Sequence, residues 1–115
     1  MPQMFTPFID KSQCHKRTIF PGVDIYTAAA NEMMLSLVEF QPHAVVEEHA
    51  HPHEQVGVVL GGEAVFYIGD ERREMRVGDM YRIAGGVRHR VVAGAAGAQA
   101  LDVFHPIRQD YLGPG

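Results

Sequence analysis

The chain has 115 residues, of which 46% are hydrophobic and 21% charged, a composition that indicates one folded domain and excludes a disordered or fibrous chain. Its net charge is -4 and its ten basic residues form no dense cluster, so no nucleic-acid partner is expected. No segment has the ~18 consecutive apolar residues of a membrane span, and the first ten residues do not resemble a signal peptide. The only cysteine is Cys14, and we expect a cytoplasmic, single-domain protein over residues 1–115.

The N-terminal part of the chain is predicted to begin with an arm and to continue into strands. Residues 1–16 show no regular hydrophobic period, which indicates an arm or an edge strand. Residues 27–32 (TAAANE) are interpreted as a connection. Residues 33–40 (MMLSLVEF) form the longest apolar run, which Gln41-Pro42 ends too early for a regular helix. We therefore predict a strand with both faces largely buried.

Turn signals recur regularly in the second half of the chain. Glycine-containing pairs are spaced seven to nine residues apart, at 61–62, 69–70, 78–79 and 85–86, followed by Gly94. Strand-like segments lie between them, at 63–68, 72–77, 80–83 and 89–92. The small residues at 93–100 are predicted to form a loop. This pattern is typical of an all-β sandwich or barrel.

Three of the seven histidines lie close together in the sequence HAHPHEQ. Alternate residues of a strand point to the same side, so His49 and His51 share a face on which they could bind one metal ion. His53 has the same parity, but Pro52 disturbs the strand and leaves the direction of His53 open. A surface histidine tract with incidental metal affinity is the alternative interpretation of this segment.

A further histidine ends the sequence GDMYRIAGGVRH, directly after a glycine turn. His89 and Val91 share a strand face, so His89 is predicted to point inward beside apolar neighbours. Taken alone, it would be interpreted as a hydrogen-bonded core residue.

Together, the two histidine segments resemble the two sequence motifs of the small cupins. The residues that stand at the motif positions are His49, His51, Gln55 and Gly62 in the first motif, and Gly78, Gly86 and His89 in the second. The departures are Gln55 for a glutamate, Ala84 for a proline, Ala93 for an asparagine, and the missing first glycine. The resemblance covers residues 33–108 and implies an all-β jelly-roll barrel, or double-stranded β-helix. It also implies one divalent metal ion, bound by His49, His51, Gln55 and His89.

The amide of Gln55 changes the charge of the implied metal site. Three neutral imidazoles and an amide leave a divalent ion at +2, so the site should attract an anionic ligand more strongly than one with a carboxylate. The alternatives are that Gln55 only hydrogen-bonds His51 or a water, or that Glu54 is the fourth ligand instead. The ion is expected to be zinc, nickel, manganese, iron or copper, among which the sequence does not choose.

The C-terminal segment LDVFHPIRQDYL carries a second group of candidate residues. Strand alternation places Leu101 and Val103 on one side and Asp102 and Phe104 on the other. Burial of an acid among apolar residues raises its pKa, which suits a general acid/base. Arg108 offers a planar fork for a substrate carboxylate. A structural ion pair between Asp102 and Arg108 is the alternative.

The HxHPHEQ and DVF-x-P-x-R segments together resemble the pectin-degradation cupins of the KdgF type. That family linearises 4,5-unsaturated monouronates, so the resemblance implies a small anionic sugar acid as substrate. It implies catalytic roles for Asp102 and Arg108 and substrate contacts for Phe104 and Arg108. Another metal-dependent cupin enzyme, such as a dioxygenase or isomerase, and a non-catalytic sugar- or anion-binding cupin remain as alternatives. A homodimer is expected from the family.

Overall fold

The structure is a computed structural model that describes residues 6–112. Residues 1–5 of the predicted arm and the last three residues of the predicted domain lie outside this range. Eight strands and two short 3-10 helices at Lys11–Gln13 and Gln109–Tyr111 make up the regular structure. The strands are β1 (His15–Phe20), β2 (Val23–Ala29), β3 (Met34–Phe40), β4 (Val45–His49), β5 (Glu54–Ile68), β6 (Glu71–Arg76), β7 (Met80–Ile83) and β8 (His89–His105).

Two long strands, β5 and β8, connect the two halves of the fold. Their N- and C-terminal parts pair with different neighbours. The start of β5 and the end of β8 join β7, β3, β2 and β1, whereas the end of β5 and the start of β8 join β6 and β4. All strand pairs are antiparallel. The predicted all-β jelly roll is confirmed.

Inward-facing residues of both halves form one apolar core. Alternation along β2 and β3 buries every second side chain, as expected for strands with one face on a core. The core contains Val23, Ile25, Val38, Phe40, Val46, Val59, Ala64, Phe66, Met75, Tyr81, Ile83, Val91 and Ala93. Within residues 6–112, no helix has the length and apolar character needed to cross a membrane.

Three sequence predictions of secondary structure are wrong. The loop predicted at 93–100 belongs to β8, and the connection predicted at 27–32 begins with the last three residues of β2. The strand at 33–40 has only one buried face, since Leu35 on the other face is 47% exposed. The predicted strands at 63–68, 80–83 and 89–92 lie within observed strands, and the one at 72–77 does so except for Val77, which is in the turn after β6.

Close contact between β5 and β8 explains the error at 93–100. A Cβ atom on Gly62 would meet the carbonyl oxygen of Gly97, and one on Gly97 would meet that of Phe40, 2.6 Å away. Both glycines also have positive φ, 64° and 74°. The glycines therefore serve a tight crossing of strands and not a loop or turn.

Candidate metal and acid–base site

Three histidines converge at the end of the barrel where β4 and β8 meet. His49 and His89 are register partners on these strands, and His51 lies just after β4. Their ring centroids are 4.3 to 5.5 Å apart. One ligand nitrogen from each ring lies within 4.8 Å of the others. The predicted shared face of His49 and His51 and the inward direction of His89 are therefore both observed.

Backbone carbonyls fix the orientation of all three imidazoles. Each Nδ1 lies 2.9 to 3.1 Å from a carbonyl oxygen two residues away. The pairs are His49 with Glu47, His51 with His53, and His89 with Val87. These contacts favour the tautomer with the proton on Nδ1, which leaves the Nε2 lone pair of each ring available to a metal ion.

The surroundings of His51 and His89 favour the neutral form of the imidazole, which is the form that binds metals. Burial, together with the positive charge of Arg108, lowers the pKa of His51 to about 4. Burial also lowers the pKa of His89. Proton competition with a metal ion is correspondingly weak near neutral pH.

Gln55 brings an amide oxygen to the same point. Its Oε1 lies 3.1 Å from Nε2 of His51. A neutral imidazole has one N–H, and the Nδ1 contact with the carbonyl of His53 uses it. The Nε2 lone pair and the amide oxygen are then two electron donors facing one another. A cation bonded to both at about 2.1 Å would relieve this arrangement, since such ligands lie roughly 3 Å apart. The donor set therefore fits a divalent transition metal ion.

The neighbouring candidates do not join this cluster. Glu54 is exposed and pairs across the strands with His105, which is exposed as well. The alternative in which Glu54 is the fourth ligand is therefore not favoured by its position. His53 packs its ring against His51 at 5.5 Å between centroids, outside the group of converging nitrogens.

Asp102 lies on the inner face of β8 and is only 8% exposed. The side chains of Asp102 and Phe104 were predicted to point to the same side of the strand, and this is observed, because Phe104 is also buried at 2% exposure. Burial raises the pKa of Asp102 from 3.8 to about 6, against the opposing effect of hydrogen bonds from Tyr81 and Gln55 and of the charge on Arg108. The carboxyl group is therefore able to gain and lose a proton near neutral pH.

Tyr81 is a member of this site that the sequence did not indicate. Its hydroxyl donates a hydrogen bond to Oδ1 of Asp102. Gly57 lies between them and is the register partner of both. A Cβ atom at Gly57 would collide with the two side chains. An isolated glycine in the apolar segment EQVGVV was the available signal of such a close approach.

Arg108 turns its guanidinium back over the site after β8 ends. Its Nη2 donates to Asp110 at 2.7 Å and its Nε at 3.3 Å, and its guanidinium lies 3.9 Å above the ring of Tyr111. The residue is 8% exposed, yet Nη1 is buried with no hydrogen-bond partner among residues 6–112. The ion-pair partner of Arg108 is Asp110, so the alternative of a structural Asp102–Arg108 salt bridge is wrong.

Phe104 forms an apolar wall between the imidazole of His51 and the guanidinium of Arg108. Its ring meets His51 edge-on at 5.6 Å between centroids, and the guanidinium of Arg108 lies 5.2 Å from its centre. One common cavity is lined by His49, Gln55, His89, Asp102, Phe104 and Arg108, and His51 packs against Phe104 beside it. The sequence-predicted site residues are therefore brought together.

A jelly roll with three histidines positioned for a metal ion at one end defines the class of this protein. The chain belongs to the cupin family, whose domain pattern matches residues 36–104. More narrowly, it is similar to KdgF. It is 31% identical to the pectin degradation protein KdgF of Dickeya dadantii over 84 residues, which are 72% of this chain and 76% of that protein.

Solved structures agree with this assignment. The structure of KdgF from Halomonas sp. matches with a TM-score of 0.83 and 26% identity, over 92% of this chain and 98% of that one. An RmlC-like cupin from Shewanella frigidimarina matches with a TM-score of 0.85 and 26% identity, over 96% and 99% of the two chains. The family predicted from the histidine motifs is confirmed.

Proposed function

We propose that this cupin is a metal-dependent enzyme that linearises 4,5-unsaturated monouronates to 5-keto-4-deoxyuronates. The observation that carries the proposal is a buried acid, Asp102, in one cavity with two of the three convergent imidazoles, those of His49 and His89. The same cavity is lined by Arg108, whose Nη1 is buried without a hydrogen-bond partner among residues 6–112. The similarity to pectin degradation proteins supports a uronate from pectin or alginate breakdown as the substrate.

The metal ligands in this proposal are His49, His51, Gln55 and His89. A divalent ion of the zinc, nickel, manganese, iron or copper group, when bound, would supply Lewis-acid polarisation of substrate oxygens. The neutral amide leaves the charge of the ion less compensated than a carboxylate would, which favours an anionic substrate.

Arg108 binds the carboxylate of the substrate. Asp110 holds its Nε and Nη2, which leaves Nη1 buried and without a partner among residues 6–112, in a side chain that lines the cavity. An arginine held on one edge is preorganised to donate from the other, and a charge-assisted hydrogen bond to a carboxylate is among the stronger polar contacts. Phe104 provides the apolar side of the binding site and excludes water from it.

Asp102 carries the proton transfers. Its carboxylate accepts the proton of the C1 hydroxyl as the C1–ring oxygen bond breaks, which yields the C1 aldehyde and leaves the former ring oxygen as an enolate at C4–C5. The protonated carboxyl then donates that proton to C4 while the enolate electron pair forms the C5 carbonyl, which gives the 5-keto product and restores the carboxylate. The reaction is an isomerisation and needs no redox step. General acid/base catalysis of this kind contributes ~10²–10⁴-fold to the rate.

The test follows the ultraviolet absorbance of the conjugated alkene of an unsaturated monouronate. Metal-loaded protein is expected to accelerate its loss, and chelation or Asp102→Asn to abolish the acceleration. Asp70→Asn, an acid in an exposed turn, is the matched control and should retain activity. An unaccelerated reaction with protein that carries its metal ion would overturn the proposal.

The assembly and location of the protein stay predictions. The outer face of the sheet exposes apolar side chains on adjoining strands, such as Leu35 at 47%, Val56 at 43% and Met80 at 78%. The homodimer predicted from the family would be detected by light scattering coupled to size-exclusion chromatography. Cell fractionation would test the predicted cytoplasmic location.

A further inference from the structure

A row of polar residues crosses the otherwise apolar interior of the barrel. Four polar residues and one glycine are register partners on five adjacent strands: Thr27 on β2, Ser36 on β3, Asp102 on β8, Gly57 on β5 and Tyr81 on β7. Cross-strand partners have Cβ atoms about 4.5–5.5 Å apart and face the same side of a sheet. The side chain of Ser36 is therefore the neighbour of Asp102 on one side, as Tyr81 is on the other.

Ser36 differs from the rest of this row in its hydrogen bonding. Tyr81 donates to Asp102, and the Thr27 hydroxyl lies 3.3 Å from the carbonyl of His15 and 3.4 Å from that of Tyr111. Ser36 is 0% exposed, and its hydroxyl has no partner among residues 6–112. A buried hydroxyl without a partner is costly, so its presence calls for a functional reason.

The position of Ser36 supplies such a reason. It lines the same cavity as Asp102, Phe104 and Arg108, whereas Thr27 does not. A ligand that enters the cavity far enough to reach Asp102 meets the hydroxyl of Ser36 beside it. Among ligand groups, a sugar hydroxyl is suited to both residues, because it donates to a carboxylate and accepts from a serine.

We propose that Ser36 is a further substrate-binding residue, whose hydroxyl binds a hydroxyl group of the sugar acid and holds it against Asp102. This inference rests on the proposed function, because it takes the occupant of the cavity to be a uronate. Ser36 orients the ring so that Asp102 meets the reacting part of the sugar, and Tyr81 fixes Asp102 from the opposite side. The cost of the unpaired hydroxyl in the free protein is offset when the substrate binds.

The inference predicts opposite effects of Ser36→Ala on stability and on activity. Removal of an unpartnered buried hydroxyl raises the Tm of the free protein, by roughly 2–6 °C. Loss of one neutral hydrogen bond to substrate lowers kcat/KM by roughly 3- to 10-fold, mainly through KM. A purely structural hydroxyl would give a lower Tm instead. Metal content should not change, since Ser36 is not among the converging ligands.

Thr27→Val is the matched control, because its hydroxyl lies in the same row but contacts backbone carbonyls. It should keep kcat/KM and should not raise Tm. The experiment measures Tm, metal content and steady-state kinetics on an unsaturated monouronate for the full-length wild type and both variants. Inactive metal-loaded wild type would overturn the proposed function. Active wild type with unchanged kcat/KM, or a lowered Tm, in Ser36→Ala would overturn the role of Ser36 alone.

Discussion

Tyr81 donates a hydrogen bond to Asp102 across Gly57, which lies between them in the sheet and has no side chain to separate them. The three residues come from three strands and form one structural unit. Tyr81 is itself 9% exposed and packs its ring against Phe66 at 4.5 Å between centroids. The orientation of the buried acid is therefore tied to the packing of the core.

A methyl group at position 57 should disrupt this unit. The added Cβ of Gly57→Ala would collide with Tyr81 and Asp102, whereas that of Gly61→Ala on the same strand would meet Gln99 at an ordinary 3.5 Å. We expect Gly57→Ala to lose about 1–3 kcal/mol of unfolding free energy and most of its activity. Gly61→Ala should keep its activity. Urea unfolding with parallel assays measures both, and equal behaviour of the two variants would contradict the arrangement.

Tyr81→Phe should reduce stability in a pH-dependent manner. The hydroxyl of Tyr81 lowers the pKa of Asp102, so it stabilises the ionised carboxylate. In metal-free protein, the loss should be about 1–3 kcal/mol at pH 8, where Asp102 is ionised, and smaller at pH 5, where it is protonated. Tyr26→Phe serves as control, since the Tyr26 hydroxyl makes no hydrogen bond within the described part of the chain. A loss that is equal at both pH values would exclude this role of Tyr81.

Asp102→Asn should stabilise the metal-free protein above pH 6. The pKa of Asp102 is about 6 in the folded state and 3.8 as the ordinary value, so ionisation opposes folding and stability falls as pH rises between them. The variant should exceed wild type by about 3 kcal/mol at pH 8, with the difference vanishing near pH 4. Histidine titration affects both proteins and cancels in the difference. Chemical denaturation across this range measures it; a less stable variant at pH 8 would contradict the burial argument.

Arg108→Lys should distinguish the contribution of the positive charge at position 108 to substrate binding from that of the planar guanidinium shape. Lysine keeps a positive charge but has no second edge to present to a carboxylate while it pairs with Asp110. We expect KM to rise by roughly 10- to 100-fold with a smaller effect on kcat, which is the range of one charge-assisted hydrogen bond. Arg88→Lys, at a side chain that is 64% exposed, should change neither parameter. A wild-type KM in Arg108→Lys would show that the planar guanidinium group of Arg108 is not needed to bind the substrate.

His51→Ala should remove the metal ion. His51 contributes one of three converging nitrogens and faces the amide oxygen of Gln55. Elemental analysis by mass spectrometry is expected to find about one divalent ion per wild-type chain and little in the variant. His105→Ala is the control, because His105 is exposed and should leave the metal content unchanged. Full metal retention in His51→Ala would place the ion elsewhere.

Much of the site could be predicted from the sequence because its residues occupy regular strand positions. Alternation alone aligned His49 with His51 and Asp102 with Phe104. Tyr81 and Ser36 could not be recognised in this way, since their roles depend on which strands become neighbours of β5 and β8. Strand pairing between distant segments is a tertiary property that no local pattern contains. The partner of Arg108 was missed for a different reason: Asp110 lies only two residues away, in the segment after β8, where strand alternation no longer indicates side-chain direction.

The fold was predictable in its class and less so in its strand lengths. Regular glycine turns indicated an all-β protein, and Gly69, Gly78 and Gly86 do adopt positive φ in turns or next to them. The glycines at 62 and 97 look the same in the sequence but lie inside β5 and β8, where the backbones of neighbouring strands come too close for a side chain. Local sequence does not distinguish a turn glycine from one required by a close approach.

The most direct test of the mechanism is proton NMR of the reaction in D₂O, with metal-loaded wild type and Asp102→Asn at early time points. Wild type is expected to remove the C4 alkene signal faster than buffer does and to give a product with one deuterium at C4 in a single configuration. Asp102→Asn should be slower by about 10²–10⁴-fold. A wild-type product deuterated equally in both C4 configurations from the start would show that ketonisation occurs in solution, and would contradict proton delivery by Asp102.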